Sequence, residues 1–474
     1  MRFIYLFVFL LSFSSSAQIE LSNLFSDNMV LQQESHVNIW GKAKKNQELI
    51  IYTSWSGKIV RTIVKDDGSW EVKIKTPSAG GPYNIQVTCD GETKTINNVL
   101  IGEVWLASGQ SNMEMTLSGN NREPVNGSLD AIANSNNTKI RFFNVKVKVS
   151  EERINDIDGE WLEANFKNTP NFSAVAYSFA KYLNQVLDIP FGIINSPKDG
   201  SVAEAWISPD VLKKITTNKE LSYYAKQPHN NPSVLFNGMI NAIIPFTIKG
   251  VIWYQGEGNS GRYKNYMKLM NGLIKNWRDE WGLGDFPFYF VQLAPNGSLG
   301  QGNGTSQAFL REAQLRTMLS VENTGMAVTL DIGSTITNHP PEKLLIGKRL
   351  AYWALAKNYG FNGLPHSGPV YESMKVKNNK VYVNFKFAKN GVTSYGKPLS
   401  GFEIAGEDKI FYSADASIDP HWSAGWENRS VLTLSNKNVP NPLYIRYGWK
   451  NYIEGALYNV EGLPASSFRS YDFD

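Results

Sequence analysis

The sequence predicts an α/β chain: a mostly parallel sheet flanked by helices, set between an N-terminal β-sandwich and a β-rich C-terminal region. Three observations carry this. Short alternating strands fill residues 18–97. From 98 to 368 apolar runs take turns with amphipathic helical stretches. From 369 to 474 the chain returns to short strands. Strand–helix alternation indicates a doubly wound sheet, whereas short alternating strands punctuated by turn residues indicate a sandwich.

In the first region His36-Val37-Asn38-Ile39-Trp40 and Leu49-Ile50-Ile51-Tyr52-Thr53 alternate, as does Trp70-Glu71-Val72-Lys73-Ile74 after the turn Asp66-Asp67-Gly68. In the second, the apolar runs are Val104–Ala107, Ile140–Phe143, Phe191–Ile194, Val251–Trp253, Phe288–Val291 and Met326–Leu330. Helical patterns fall near 173–187, 234–244, 263–281, 307–321 and 342–358; the last carries Leu344, Leu345, Lys348, Leu350, Ala351 and Leu355 at helical spacing. In the third, Lys380–Phe385 and Ser430–Leu434 read as strands.

Ahead of these regions, Arg2, the apolar run Phe3–Phe13 and the small residues Ser14–Ala17 follow the order of a secretory signal peptide, so residues 1–17 are expected to be removed. The run is too short to span a bilayer, which takes roughly 20 residues. The expectation is an exported protein, periplasmic or secreted, beginning near Gln18 and free of a membrane span. Cys89 is the only cysteine, which excludes an intramolecular disulfide and a thiolate metal cluster. The formal net charge is +4 with the charges scattered, which gives no support for a nucleic-acid partner. Nothing in the sequence reports on oligomeric state.

Ligands of an open parallel sheet bind outside the carboxyl ends of its strands. After Val104–Ala107 comes Ser108-Gly109-Gln110-Ser111-Asn112-Met113. After Phe191–Ile194 comes Asn195-Ser196-Pro197-Lys198-Asp199-Gly200-Ser201. After Val251–Trp253 comes Tyr254-Gln255-Gly256-Glu257, and after Met326–Leu330 the loop passes Asp331 to Asn338-His339-Pro340. A serine, a histidine, glycines and a side-chain amide thus converge on one sheet edge. Acyl transfer needs such a set, because a serine hydroxyl attacks only when an imidazole takes its proton. The oxyanion of the intermediate also needs preplaced donors. Backbone amides at Ser111 and Gly200 and the side chain of Gln255 are the candidates, while Gln255 and Glu257 fit equally well as buried groups that stitch their loop. His36 lies in a sandwich strand, and His229, His366 and His421 lie in polar Pro- or Gly-containing loops, which leaves His339 as the one joining a strand exit to a helix.

The segment Gly102-Glu103-Val104-Trp105-Leu106-Ala107-Ser108-Gly109-Gln110-Ser111-Asn112-Met113-Glu114-Met115 resembles the nucleophile block of the sialate O-acetylesterase family, within the SGNH hydrolase superfamily. Further similar blocks are Ala203–Trp206, Leu235–Ile240, Lys249–Glu257, and His339-Pro340 with Lys343, Gly347, Lys348, Arg349, Leu350 and Ala351. Leu24–Gln32 and Asn459–Ala465 extend the likeness over nearly the whole chain beyond the leader. The resemblance implies an SGNH-like sheet and a serine esterase removing acetyl groups from sialic acids or, as in related enzymes, from xylan or another glycan. It implies Ser111 as nucleophile, His339 as general base, an oxyanion hole of Ser111, Gly200 and Gln255, and no metal or organic cofactor.

Two departures stand out. Many relatives carry Trp and Gly ahead of Gly200, where Lys198 and Asp199 stand here, which bears on substrate choice. Superfamily members often place an Asp two or three residues before the histidine, where this chain has Thr337 and Ile336. The expected partner of His339 is Asp331, with Glu257 or a backbone carbonyl as alternatives. A glycan-binding protein without catalysis is the competing reading from another class, but it has no need of a serine and a histidine at one sheet edge.

Overall fold

The structure, a computed structural model, describes residues 19–120, 122–221, 227–418 and 431–473; the expected leader and His421 lie outside them. The central sheet runs, edge to edge, through Trp161–Ala164, Asn137–Asn144, Phe191–Pro197, Glu92–Gly109, Gly250–Tyr254, Phe288–Val291 and Thr324–Ala327. Every neighbouring pair is parallel except the first, where Trp161–Ala164 lies antiparallel to Asn137–Asn144. Phe191–Pro197 and Gly250–Tyr254 are buried along their whole length, as expected of parallel strands covered on both faces.

Helices Ala174–Leu187, Tyr266–Trp281, Ser306–Ser320 and Lys343–Asn358 supply that cover. Lys343–Asn358 approaches Ala174–Leu187 closely because Gly347 has no side chain: a Cβ there would meet the Val175 carbonyl at 2.5 Å. The helix expected near 234–244 is instead a single π-helical turn, Phe236–Ile240, followed by turns. Asn237 and Asn241 there donate to the carbonyls of Glu151 and Ile154, so the segment packs through side-chain amides rather than as a long regular helix.

The N-terminal strands form two facing layers. One holds Glu20–Leu21, His36–Lys42 and Ser69–Lys75; the other holds Glu48–Thr53, Ile59–Ile63, Gly80–Cys89 and the start of Glu92–Gly109. Val37, Ile39, Leu49, Ile51, Val72 and Val87 fill the space between. The change of pattern at residue 98 is not a linker. Glu92–Gly109 is one 18-residue strand whose first part pairs antiparallel with Gly80–Cys89 and whose last part joins the central sheet. Up to Asn98 only Ile96 is buried, and from Val99 onward every residue is.

Among the described residues, the C-terminal strands make two four-stranded sheets and a two-stranded pair. They pack on the central body through Arg311 of helix Ser306–Ser320, which is fully buried. Its guanidinium donates to Ser467 Oγ and to the Gly448 carbonyl, each at 2.9 Å, and to the carbonyl of Lys450 at 2.5 Å. Burial pulls its pKa down to about 9, and among the described residues its hydrogen-bond partners are neutral. Arg311→Ala should cost about 3 kcal/mol through a cavity and several stranded carbonyls. Urea unfolding of the variant against the parent checks it; a loss below about 1 kcal/mol would mean the C-terminal sheets dock by other contacts.

No helix among the described residues is long and apolar enough to cross a membrane.

Candidate active site

The strand Glu92–Gly109 has Phe191–Pro197 on one side and Gly250–Tyr254 on the other, and the parallel registers align Ser108 with both Ser196 and Trp253. The loops after these three strands therefore leave the sheet side by side. This is also where the chain order reverses: the strands following Glu92–Gly109 are laid first to one side and then to the other, which opens a crevice at that point.

Gly109 turns the chain out of the sheet at φ +136°, and a Cβ there would sit 2.1 Å from the Tyr254 carbonyl. Only glycine fits such a contact. The Gln110 amide donates to Tyr254 O at 2.9 Å, and its side-chain oxygen accepts from the amides of Gly256 and Gly258 at 3.2 and 3.3 Å. Ser111 then opens the short helix Ser111–Glu114 with 6% exposure.

His339 comes from the far side, on the long loop between Thr324–Ala327 and helix Lys343–Asn358. Its Nε2 lies 2.8 Å from Ser111 Oγ and its Nδ1 lies 2.6 Å from Glu123 Oε2. In the neutral ring Nδ1–H donates to the carboxylate, which leaves Nε2 as the acceptor for the serine proton. The second Glu123 oxygen accepts from the hydroxyl of Thr337, and Thr337 Oγ1 accepts the His339 amide at 3.0 Å. Glu123 and His339 are about four-fifths buried.

Asn112 ties these loops together from beneath. Its Nδ2 donates to Glu257 Oε1 at 2.5 Å and to the Asn338 carbonyl at 3.0 Å, and its Oδ1 accepts from Lys343. The neighbour of the serine is thereby bonded to the neighbour of the histidine. Lys343 and Glu257 are both enclosed: burial pulls the ammonium down to about 7 and pushes the carboxyl up.

Three expectations need correction. Asp331 does not orient His339: Arg349 binds both its oxygens, at 2.8 and 2.6 Å, in a buried fork that also takes the Val328 carbonyl. The carboxylate on the ring is Glu123, twelve residues after the serine, in a turn where its backbone bonds reciprocally with Asn120. Glu257 does not reach the free ring nitrogen either, since Glu123 occupies it; Glu257 holds Asn112. Gln255 is fully buried with both amide hydrogens engaged, to Ser201 O at 3.2 Å and Asn259 Oδ1 at 2.8 Å, while its oxygen accepts from Tyr266. It stitches the loop. The amides of Ser111 and Gly200 find no acceptor among the described residues, and Gly200 holds a φ of +69° suited to glycine.

Sequence reasoning missed Glu123 because it lies in a polar loop without a motif. The one signal was the absent carboxylate before His339. Thr337, standing there, hydrogen-bonds the carboxylate that arrives from elsewhere.

Residues 101–355 match the carbohydrate esterase, sialic acid-specific acetylesterase family, a span of more than half the chain. The sialate O-acetylesterases of Mus musculus and Homo sapiens are each 28% identical, the first aligned over 94% of this chain and 93% of its own length, the second over 97% and 94%. A carbohydrate acetylesterase from Xanthomonas citri superposes with a TM-score of 0.86 at 33% identity, covering 96% of this chain and 100% of its own.

Glu123→Ala should lower kcat by about 10⁴-fold, the loss seen when a serine hydrolase is deprived of the carboxylate orienting its histidine. Asp331→Asn should instead cost about 3 kcal/mol of stability, as expected for breaking a buried ion pair. Turnover and thermal unfolding of both variants test this, and the reverse pattern would return Asp331 to the catalytic role.

Proposed function

Because the chain belongs to the sialic acid-specific acetylesterase family of carbohydrate esterases, we propose that it hydrolyses O-acetyl esters of sialic acid through a Ser111–His339–Glu123 triad. The observation that carries this is the 2.8 Å contact between Ser111 Oγ and His339 Nε2, with a carboxylate 2.6 Å behind the ring.

Ser111 Oγ attacks the acetyl carbonyl as its proton passes to His339, and Glu123 stabilises the resulting imidazolium. The carbonyl oxygen gains the negative charge, which the amides of Ser111 and Gly200 are free to bind; one such donor is typically worth about 10²–10³ in rate. The intermediate collapses as His339 hands its proton to the departing sugar oxygen, leaving acetyl-Ser111. Water, deprotonated by His339, then attacks the acetyl group, and acetate leaves as the serine recovers its proton. The glycan-binding reading without catalysis gives no reason for this arrangement.

Residues 1–17 support export, with the mature enzyme periplasmic or secreted. The substrate is an O-acetylated sugar or glycan.

Ser111→Ala should abolish hydrolysis of 4-nitrophenyl acetate, and a mutant retaining the parent rate would remove the serine from the mechanism. Acetate release from O-acetylated sialic acid compared with acetylxylan tests the substrate. Faster release from xylan would move the assignment to a plant-glycan acetylesterase.

A further inference from the structure

One buried titratable group beside the triad has no part in the acyl transfer. Lys343 is fully buried at the first position of helix Lys343–Asn358, an end where the helix dipole disfavours a cation. A methionine would fill similar space without burying a charge, so packing does not account for an amine there. Among the described residues its hydrogen-bond acceptor is Asn112 Oδ1. On the other side of the same amide, Nδ2 donates to Glu257 Oε1 at 2.5 Å and to the Asn338 carbonyl at 3.0 Å. Glu257 Oε2 is buried with no hydrogen-bond partner among the described residues. The amide thus lies between an amine and a carboxyl, and one of its hydrogens holds the residue next to His339.

Charge decides which way round that amide sits. An ammonium has three donors and no acceptor, so only Oδ1 can face it. Both amide hydrogens are then directed at Glu257 and Asn338, and a hydrogen bond to a charged partner is roughly twice as strong as a neutral one. A neutral amine carries a lone pair and can accept, so it tolerates the amide reversed. Reversal would turn Oδ1 towards the Glu257 carboxyl and the Asn338 carbonyl and abolish the bond to the histidine loop. Burial pulls the ammonium down to about 7, opposed by Glu257 and then Glu123, which favour its charged form. The strand beneath presents Tyr254, its ring centre 5.7 Å from Nζ and its hydroxyl kept protonated by burial and by Glu257. His339 faces the same Glu257.

We propose that Lys343 is a positioning residue: its positive charge orients Asn112 and thereby keeps His339 against Ser111, so that turnover falls as this charge is lost at alkaline pH. The proposal rests on the Ser111–His339 reading above and adds a regulating group that touches neither substrate nor reacting atoms.

The test is the pH dependence of kcat and KM for acetate release from 4-nitrophenyl acetate, between the ordinary pKa ranges of histidine and lysine, with the Ser111→Ala rate subtracted. The parent's kcat should fall about tenfold as the pH rises through about 7, the scale of one hydrogen bond to a charged group, while KM stays unchanged. Lys343→Met, uncharged at every pH, should show the lowered kcat throughout, with the alkaline limb gone and KM as in the parent. A parent kcat that stays level up to lysine's ordinary range overturns the proposal, as does a Lys343→Met variant that retains the limb. Carbon-13 NMR of the lysine side chains in the parent decides the matter without a variant, should Lys343→Met fail to fold. One lysine titrating together with the limb supports the assignment, and lysines that all titrate near about 10.4 overturn it. Either overturning result, with hydrolysis still abolished by Ser111→Ala, leaves the esterase reading standing; hydrolysis that survives Ser111→Ala removes both.

Discussion

The proposed triad depends on holding two loops from different strands within one hydrogen bond of each other, and Asn112 is a side chain bonded to both. The serine loop leaves the middle of the sheet, whereas the histidine loop leaves its edge, with Phe288–Val291 and Gly250–Tyr254 in between. A carboxamide has donors and an acceptor at fixed angles, so one residue can grip the Asn338 carbonyl, the Glu257 carboxyl and the Lys343 ammonium together. Lys343 begins the helix that follows His339, so the grip extends into a rigid element. A network enclosed in this way rigidifies its surroundings when every member is matched and is costly when one is removed.

The carboxylate behind the histidine reaches its place by an unusual route. It comes from a turn downstream of the serine rather than from the residues just ahead of the histidine. The electrostatic task is the same wherever the group originates: it fixes which ring nitrogen carries the proton and stabilises the imidazolium. The chain position of the acid is therefore free to vary as long as its oxygens arrive at Nδ1. Thr337 makes that possible here by satisfying the second oxygen, and its hydroxyl also anchors the His339 backbone. Asp331, freed from the ring, closes a fork with Arg349 that braces the start of the same loop.

Much of the architecture is written in periodicity. The runs at 104–107, 191–194, 251–253 and 288–291 are strands because parallel strands covered on both faces need continuous apolar sequence. The loops that follow such strands share one edge of the sheet, and Ser111 and His339 both lie on loops of that kind. Contacts made across loops were not legible in the same way. Glu123 and Asp331 are both acids in irregular segments, and only the folded path of 115–125 brings the first to the ring. Gln255 has the chemistry of an oxyanion donor, but Ser201 and Asn259 claim its hydrogens, and no spacing rule reveals which way a buried amide faces. The extent of the strand 92–109 was hidden too, since periodicity reports a change of neighbours and not whether the backbone stays straight.

That strand has a mechanical corollary. Because a single stretch of extended backbone is hydrogen-bonded into the N-terminal layers at one end and delivers Ser111 at the other, the N-terminal layers are not an appendage that can be trimmed away. Slippage of one residue between Gly80–Cys89 and its partner would be transmitted along the strand and reverse the side to which each succeeding side chain points. The amino-terminal layers therefore act as an alignment jig for the nucleophile, even though they contribute no group to the chemistry.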